Sequence, residues 1–163
     1  MNGIALILRV LRDGETELAE GLLATGQRHR AEHEIFHVST DLAQWSREHA
    51  QRIAEAIERE DHARPEEASG PHSDLVPRSQ NREPRPERAC SQPALLLLRD
   101  LRDLHLGASA NSLYWEMLAQ AAQARTDTRL LSLVSACHPQ TVRQMRWTNT
   151  MIKSLAPQLL TNL

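Results

Sequence analysis

His29, His33 and His37 recur at every fourth residue, and Glu34 stands three before the last of them in a literal Glu-x-x-His. On one continuous helix, three imidazoles at that spacing share a face and suit a zinc or nickel ion. Arg28 and Arg30 oppose a cation there, and the polar stretch from Gly26 to Glu32 reads as a turn that breaks the helix between the first and third histidines. Solvated turn histidines are therefore the expectation. Cys137 beside His138 suggests a thiol–imidazole couple, but adjacent residues of a helix do not face each other. No glycine-rich phosphate loop, nucleophile elbow or Cys-x-x-Cys pair occurs in the sequence.

The elements that must position these residues are helical. Six of the eight prolines fall between Asp61 and Pro93, where Leu75 and Val76 are the only large apolar residues, so 61–92 reads as a linker. Leu11, Leu18 and Leu22 mark a first amphipathic helix over 4–28, and Ile35, Val38, Leu42, Trp45 and Ile53 a second over 33–60. Ser91 as N-cap and Pro93 in the first turn open a third helix over 92–124, striped by Leu97, Leu101, Leu104, Ala108, Trp115, Leu118 and Ala122. Thr126 and Asp127 offer the cap for a fourth over 127–157, where Leu130, Val134, Cys137, Thr141, Gln144, Thr148, Met151 and Leu155 keep a heptad spacing. Pro139 inside that pattern predicts a kink near Cys137 and His138. Short turns make each helical pair antiparallel. The expected fold is all-α: one domain over 1–163, an antiparallel four-helix bundle of two helical hairpins joined by a long Pro-rich crossover.

Composition narrows the function. The 163 residues are 40 % hydrophobic and 25 % charged, which describes a soluble globular chain rather than a disordered or membrane-embedded one. The apolar runs Ile4 to Leu8 and Ala94 to Leu98 are far short of the ~20 residues that span a bilayer, and no signal peptide is read at the start. A net charge of −2, from 21 acids and 19 bases, argues against a nucleic-acid partner or an anionic membrane surface. Residues 1–60 carry −4 and residues 94–163 carry +3, opposite signs that favour docking of the two halves. Cys90 and Cys137 are too few for a disulfide framework and fit reduced thiols in a cytoplasm. With one Phe and one Tyr, the core anchors must be Trp45, Trp115 and Trp147. A buried Trp45 predicts a loss of roughly 3–5 kcal/mol for Trp45→Ala. A low dose of trypsin is expected to cut at Arg64, Arg78, Arg82, Arg85 or Arg88 and to leave the two halves associated; resistance there would mean that the segment packs.

Acids and imidazoles recur at hairpin intervals: Glu17 or Glu20 on the first helix, Glu48 with His49 on the second, Glu116 on the third and Asn149 on the fourth. With two hairpins and a long connection, this arrangement resembles the ferritin-like superfamily of four-helix bundles. The resemblance implies a di-iron or di-manganese layer, with Glu on the first and third helices and Glu-x-x-His on the second and fourth. It nominates Glu17, Glu20, Glu48, His49 and Glu116 as metal ligands. The chain departs from the pattern at Gln51 and Ile152, which stand where histidines belong, and at Asn149, which carries no carboxylate. A di-metal site that is incomplete or lost follows from those departures.

Several polar residues nevertheless fall on inward faces: His49 on the second helix, Ser112 and Glu116 with His105 on the third, and Thr141, Gln144 and Thr148 on the fourth. Each unpaired buried polar group costs roughly 1–3 kcal/mol, so such a layer is hydrogen-bonded or binds something. One reading is a self-satisfied network that fixes helix register. Another is a site for a small ligand or a single metal ion. The leading functional expectation is a non-enzymatic, cofactor-free binding or protein-interaction module that self-associates. The rival is an iron- or manganese-dependent oxidase or storage protein with an atypical site. A regulatory partner of an enzyme, touching it through a linker that orders on binding, is the third.

Overall fold

The computed structural model describes residues 3–63 and 92–162. Most of the Pro-rich stretch, with its arginine cleavage sites, Cys90 and Ser91, lies outside them. Four helices account for nearly all the described residues: α1 (Gly3–Arg28), α2 (His33–Ala63), α3 (Pro93–Ala124) and α4 (Thr128–Thr161), with no strand among them. No helix is long and apolar enough to cross a membrane among the described residues.

Local chemistry sets most of the ends. The turn between α1 and α2 spans 29–32, inside the stretch expected from the sequence, and the His29 amide still bonds back to the Thr25 carbonyl at 3.0 Å. Asp127 caps α4 as expected, its carboxylate accepting from the amides of Arg129 and Leu130 at 3.1 Å each. Gln92, not Ser91, is the N-cap of α3; it makes no side-chain cap bond, and Pro93 follows at the start of the helix. Pro139 and Pro157 lie inside α4 without ending it.

Between α3 and α4, Thr126 holds φ at 55°, a left-handed conformation. There its amide donates to the Gln123 carbonyl and that of Asp127 to the Ala122 carbonyl, which closes the end of α3. A β-branched residue is strained in that conformation, which glycine adopts freely. Thr126→Gly is expected to raise stability by about 0.5–1 kcal/mol, read as a higher urea midpoint.

Each helix packs mainly on two neighbours: α1 on α2 and α3, and α4 on α3 and α2. Contacts step in opposite order along α1 and α2, and along α1 and α3. Arg9, early in α1, binds Asp61, late in α2, and Gly26, late in α1, lies against Ser39, early in α2. Gly14 faces Asn111 and Gly21 faces Leu104, so progress along α1 is regress along α3.

The core divides into apolar clusters. One joins Leu8, Leu11, Ile53, Trp115, Leu118, Leu130 and Cys137; another joins Leu18, Leu22, Leu42, Ala43, Leu104 and Ala108; a third joins Ile35, Leu97, Leu101 and Met151. Of the expected tryptophan anchors, Trp115 is fully buried, whereas Trp45 and Trp147 are partly buried on the flank of the second cluster. Serines at 39 and 46 take the inward positions instead of Val38 and Trp45. The expected cost of Trp45→Ala therefore falls to ~1–2 kcal/mol, below that of a fully buried indole.

One ion-pair cluster ties the halves together. Asp100, 6 % exposed, accepts from Arg28 Nη1 at 2.6 Å and lies 2.9 Å from His29 Nε2. Here the bases come from the acidic half and the acid from the basic half, so local placement overrides net charge. His29 is thus buried at the end of α1, not solvated, while His33 and His37 are exposed and stack on each other. Asp100→Ala leaves His29 buried without its acceptor, an expected loss of ~1–3 kcal/mol, measurable by denaturant unfolding.

Candidate functional site

Between the first two apolar clusters lies a layer of buried polar side chains supplied by all four helices. Glu15 comes from α1, Ser46 and His49 from α2, Asn111 from α3, and Thr141 and Gln144 from α4; each is at most 2 % exposed. On α1 the sequence of inward residues is Leu8, Leu11, Glu15, Leu18 and Leu22, so a carboxylate occupies the position where the heptad calls for leucine.

Glu15 is the hub. Trp115 Nε1 donates to its Oε1 at 3.1 Å, and Thr141 Oγ1 reaches the same oxygen at 3.4 Å. Its second oxygen, Oε2, lies 3.3 Å from His49 Nδ1. The far side of that imidazole, Nε2, meets Gln140 Oε1 at 2.7 Å, and the ring stands edge-on to the Trp115 indole at 5.9 Å between centroids. With Gln140 Oε1 as acceptor, Nε2 carries a hydrogen. Two lone pairs facing each other at the Nδ1 to Oε2 distance would repel. The contact is favourable only with a hydrogen on Nδ1 or an ion that both atoms share.

The rest of the layer is partly satisfied. Gln144 Nε2 donates to the Leu42 carbonyl at 3.0 Å and to Ser46 Oγ at 2.9 Å, which ties α4 to α2. Buried atoms without a hydrogen bond among the described residues are Glu15 Oε2, His49 Nδ1, Asn111 Nδ2, Gln144 Oε1 and Trp147 Nε1. Gly14 explains how α3 comes so near: a Cβ there would collide with Asn111 Oδ1. One turn further along the seam, Thr148 Oγ1 lies 2.9 Å from His105 Nδ1.

Cys137 is fully buried one turn from Thr141. Burial pushes its thiol up to about 11, with Arg52 lowering it and Glu15 and Glu48 raising it further. At neutral pH it is a protonated core residue and not a nucleophile. Its neighbour His138 turns instead to Ser112 Oγ, at 2.9 Å. In the native protein at pH 8, Cys137 is expected to resist alkylation and to react only on unfolding, as read by peptide mass spectrometry. The folded thiol keeps its proton above the ordinary value of 9.0, so the unfolded chain ionises first. Its contribution to stability is accordingly lost as pH rises from about 9 to 11.

The five residues nominated as metal ligands are not brought together. Glu17 and Glu20 are exposed on the outer face of α1, and Glu48 is exposed, accepting from Gln44 Nε2 at 3.1 Å. Glu116 does not point inward as its face suggested: its side chain is 61 % exposed and lies 4.0 Å from His138 Nε2. His49 alone enters the layer, and its acid is Glu15, which was not among the nominated residues. Among the described residues, no three His, Cys, Asp or Glu side chains stand close enough to hold a metal ion. One carboxylate and one imidazole do not fit a di-metal centre, which needs bridging carboxylates around two ions.

No family model, curated protein or solved structure matches the chain.

Proposed function

We propose that this chain is a ferritin-like bundle of antiparallel helices whose di-metal layer has degenerated into a structural polar network, and that it works as a non-enzymatic, self-associating binding module. The observation that carries this reading is the Glu15 cluster: the mid-bundle position is filled by the Trp115 indole, which donates to Glu15, and by the Glu15–His49 pair, whose imidazole meets Gln140 on its far side. Such a network fixes register and pairing by penalising any slip that would strand the carboxylate. The ferritin-like topology is supported by the opposite stepping of contacts in α1–α2 and α1–α3. That Asp61 and Asp100 pair with opposite ends of α1 supports a long crossover between α2 and α3. Cysteines that form no framework fit a cytoplasmic setting.

Metal content tests this reading. Untagged protein from cells grown with added iron and manganese is expected to carry essentially no bound metal by mass spectrometry. About two ions per chain would overturn it in favour of an iron- or manganese-dependent oxidase or storage protein. A second reading rests on Glu15 Oε2, His49 Nδ1, Asn111 Nδ2 and Gln144 Oε1, four buried atoms without hydrogen bonds among the described residues. A single ion shared by Glu15 Oε2 and His49 Nδ1, which lie 3.3 Å apart, or a small polar ligand would satisfy that pair, and about one ion per chain that disappears in Glu15→Gln would favour that reading.

A further inference from the structure

The third helix is apolar on two opposite faces. Its inner stripe, Leu97, Leu101, Leu104, Ala108, Trp115, Leu118 and Ala122, is buried in the bundle. Its outer face carries Leu106, Leu113 and Met117, exposed by 59, 61 and 47 %, with exposed Ala110 between the first two. Among the described residues only one other large hydrophobic, Leu160, is so exposed. A surface helix of a bundle is ordinarily polar outside, as α1 is with Asp13, Glu17 and Glu20, and α4 with Arg143 and Arg146. From Leu104 to Ala124 the sole Asp, Glu, Lys or Arg is Glu116. Depletion of charge around a contiguous apolar stripe is the composition of an interface core.

We propose that this outer face of α3 is a dimer seam, covered by the same face of a second copy running antiparallel. The steps from Leu106 to Ala110, Leu113 and Met117 are four, three and four, the spacing of a coiled-coil seam. That spacing reads the same in both directions. A two-fold axis between Ala110 and Leu113 therefore sets Leu106 of one copy on Met117 of the other, and Ala110 on Leu113, small against large. Arg102 and Glu116 lie two heptads apart on one flank of the seam, with side chains 58 and 61 % exposed; Arg102 holds its neighbour Asp103 at 2.8 Å, at the solvent-facing surface where that pair can exchange for another carboxylate. Their signs are opposite, and the same axis brings Arg102 of each copy to within about 7 Å, along the helix, of Glu116 of the other. An isologous pairing is self-complementary in this way, and a net charge of −2 opposes it little.

This seam deepens the self-association in the proposed function and is independent of the central layer. Sedimentation of the full chain at about 10–100 µM is expected to show a dimer, and Leu113→Glu to weaken it about 100-fold or more with unchanged helical circular dichroism. Glu116→Arg is expected to weaken the dimer, and Arg102→Glu with Glu116→Arg to restore it. A monomeric wild type would overturn both the seam and self-association. A dimer that survives Leu113→Glu would overturn the seam alone. Indifference to the charge swap would overturn the antiparallel alignment. A monomer whose melting temperature falls on Leu113→Glu would place a segment of the same chain on the seam and overturn the second copy.

Discussion

His49→Leu is expected to lower stability by about 3–5 kcal/mol, because it strips a fully buried carboxylate of its imidazole. Glu15 is 0 % exposed, and the substitution leaves it only the Trp115 and Thr141 contacts, both on the other oxygen. The favourable partner of Oε2 is gone, and leucine offers it nothing polar. Glu15→Leu with His49→Leu removes both members of the pair and restores leucine to the heptad of α1. Replacing a buried polar pair by apolar side chains of similar volume is commonly neutral or better. The double variant is therefore expected to be at least about 2 kcal/mol more stable than the sum of the single losses predicts. Urea midpoints at constant slope give each term of the cycle. Additive losses would show that the contact at 3.3 Å contributes no coupling and that the layer does not fix register.

The helices were legible because their punctuation is chemical: the polar run after Gly26, Pro93 at the start of α3 and the Asp127 cap all act locally. The inward face of α4 was legible too, since Thr141, Gln144 and Thr148 continue an apolar heptad and are all buried. The first-helix acid was misplaced for a geometric reason. Leu11 and Leu18 are seven apart, and the position that completes their stripe is Glu15, one turn past Leu11; Glu17 and Glu20 rotate away to solvent. Following the apolar residues of α2 favoured Val38 and Trp45, whereas the true seam of Ser39, Leu42, Ser46, His49 and Ile53 is rotated by one residue. Two small serines hide that seam, and they leave room for Gln144 to reach Ser46 Oγ. Asp100 was not legible at all. It stands in an Arg-Asp-Leu-Arg-Asp run that reads as a solvated face, and only the arrival of Arg28 and His29 from α1 makes it a buried acceptor.

Trp115→Ala is the other change with a large expected cost, about 3–5 kcal/mol, and the origin of that cost is separable. The indole is 0 % exposed and packs in the cluster that contains Leu8, Leu11, Ile53 and Cys137, so its removal opens a cavity. It also donates to Glu15 Oε1, so the same change weakens the support of the buried carboxylate. Trp115→Phe retains much of the ring volume and removes only the Nε1 donor; its expected loss is about 1–3 kcal/mol, the range for stripping a buried charged acceptor of one bond. In the Glu15→Leu background that carboxylate is absent, and Trp115→Phe is then expected to cost less than in the wild type. Equal costs in the two backgrounds would mean that the indole acts by packing alone. The coupled outcome would make Glu15, His49 and Trp115 one unit, in which the side chains that fill the middle of the bundle are also those that align its helices.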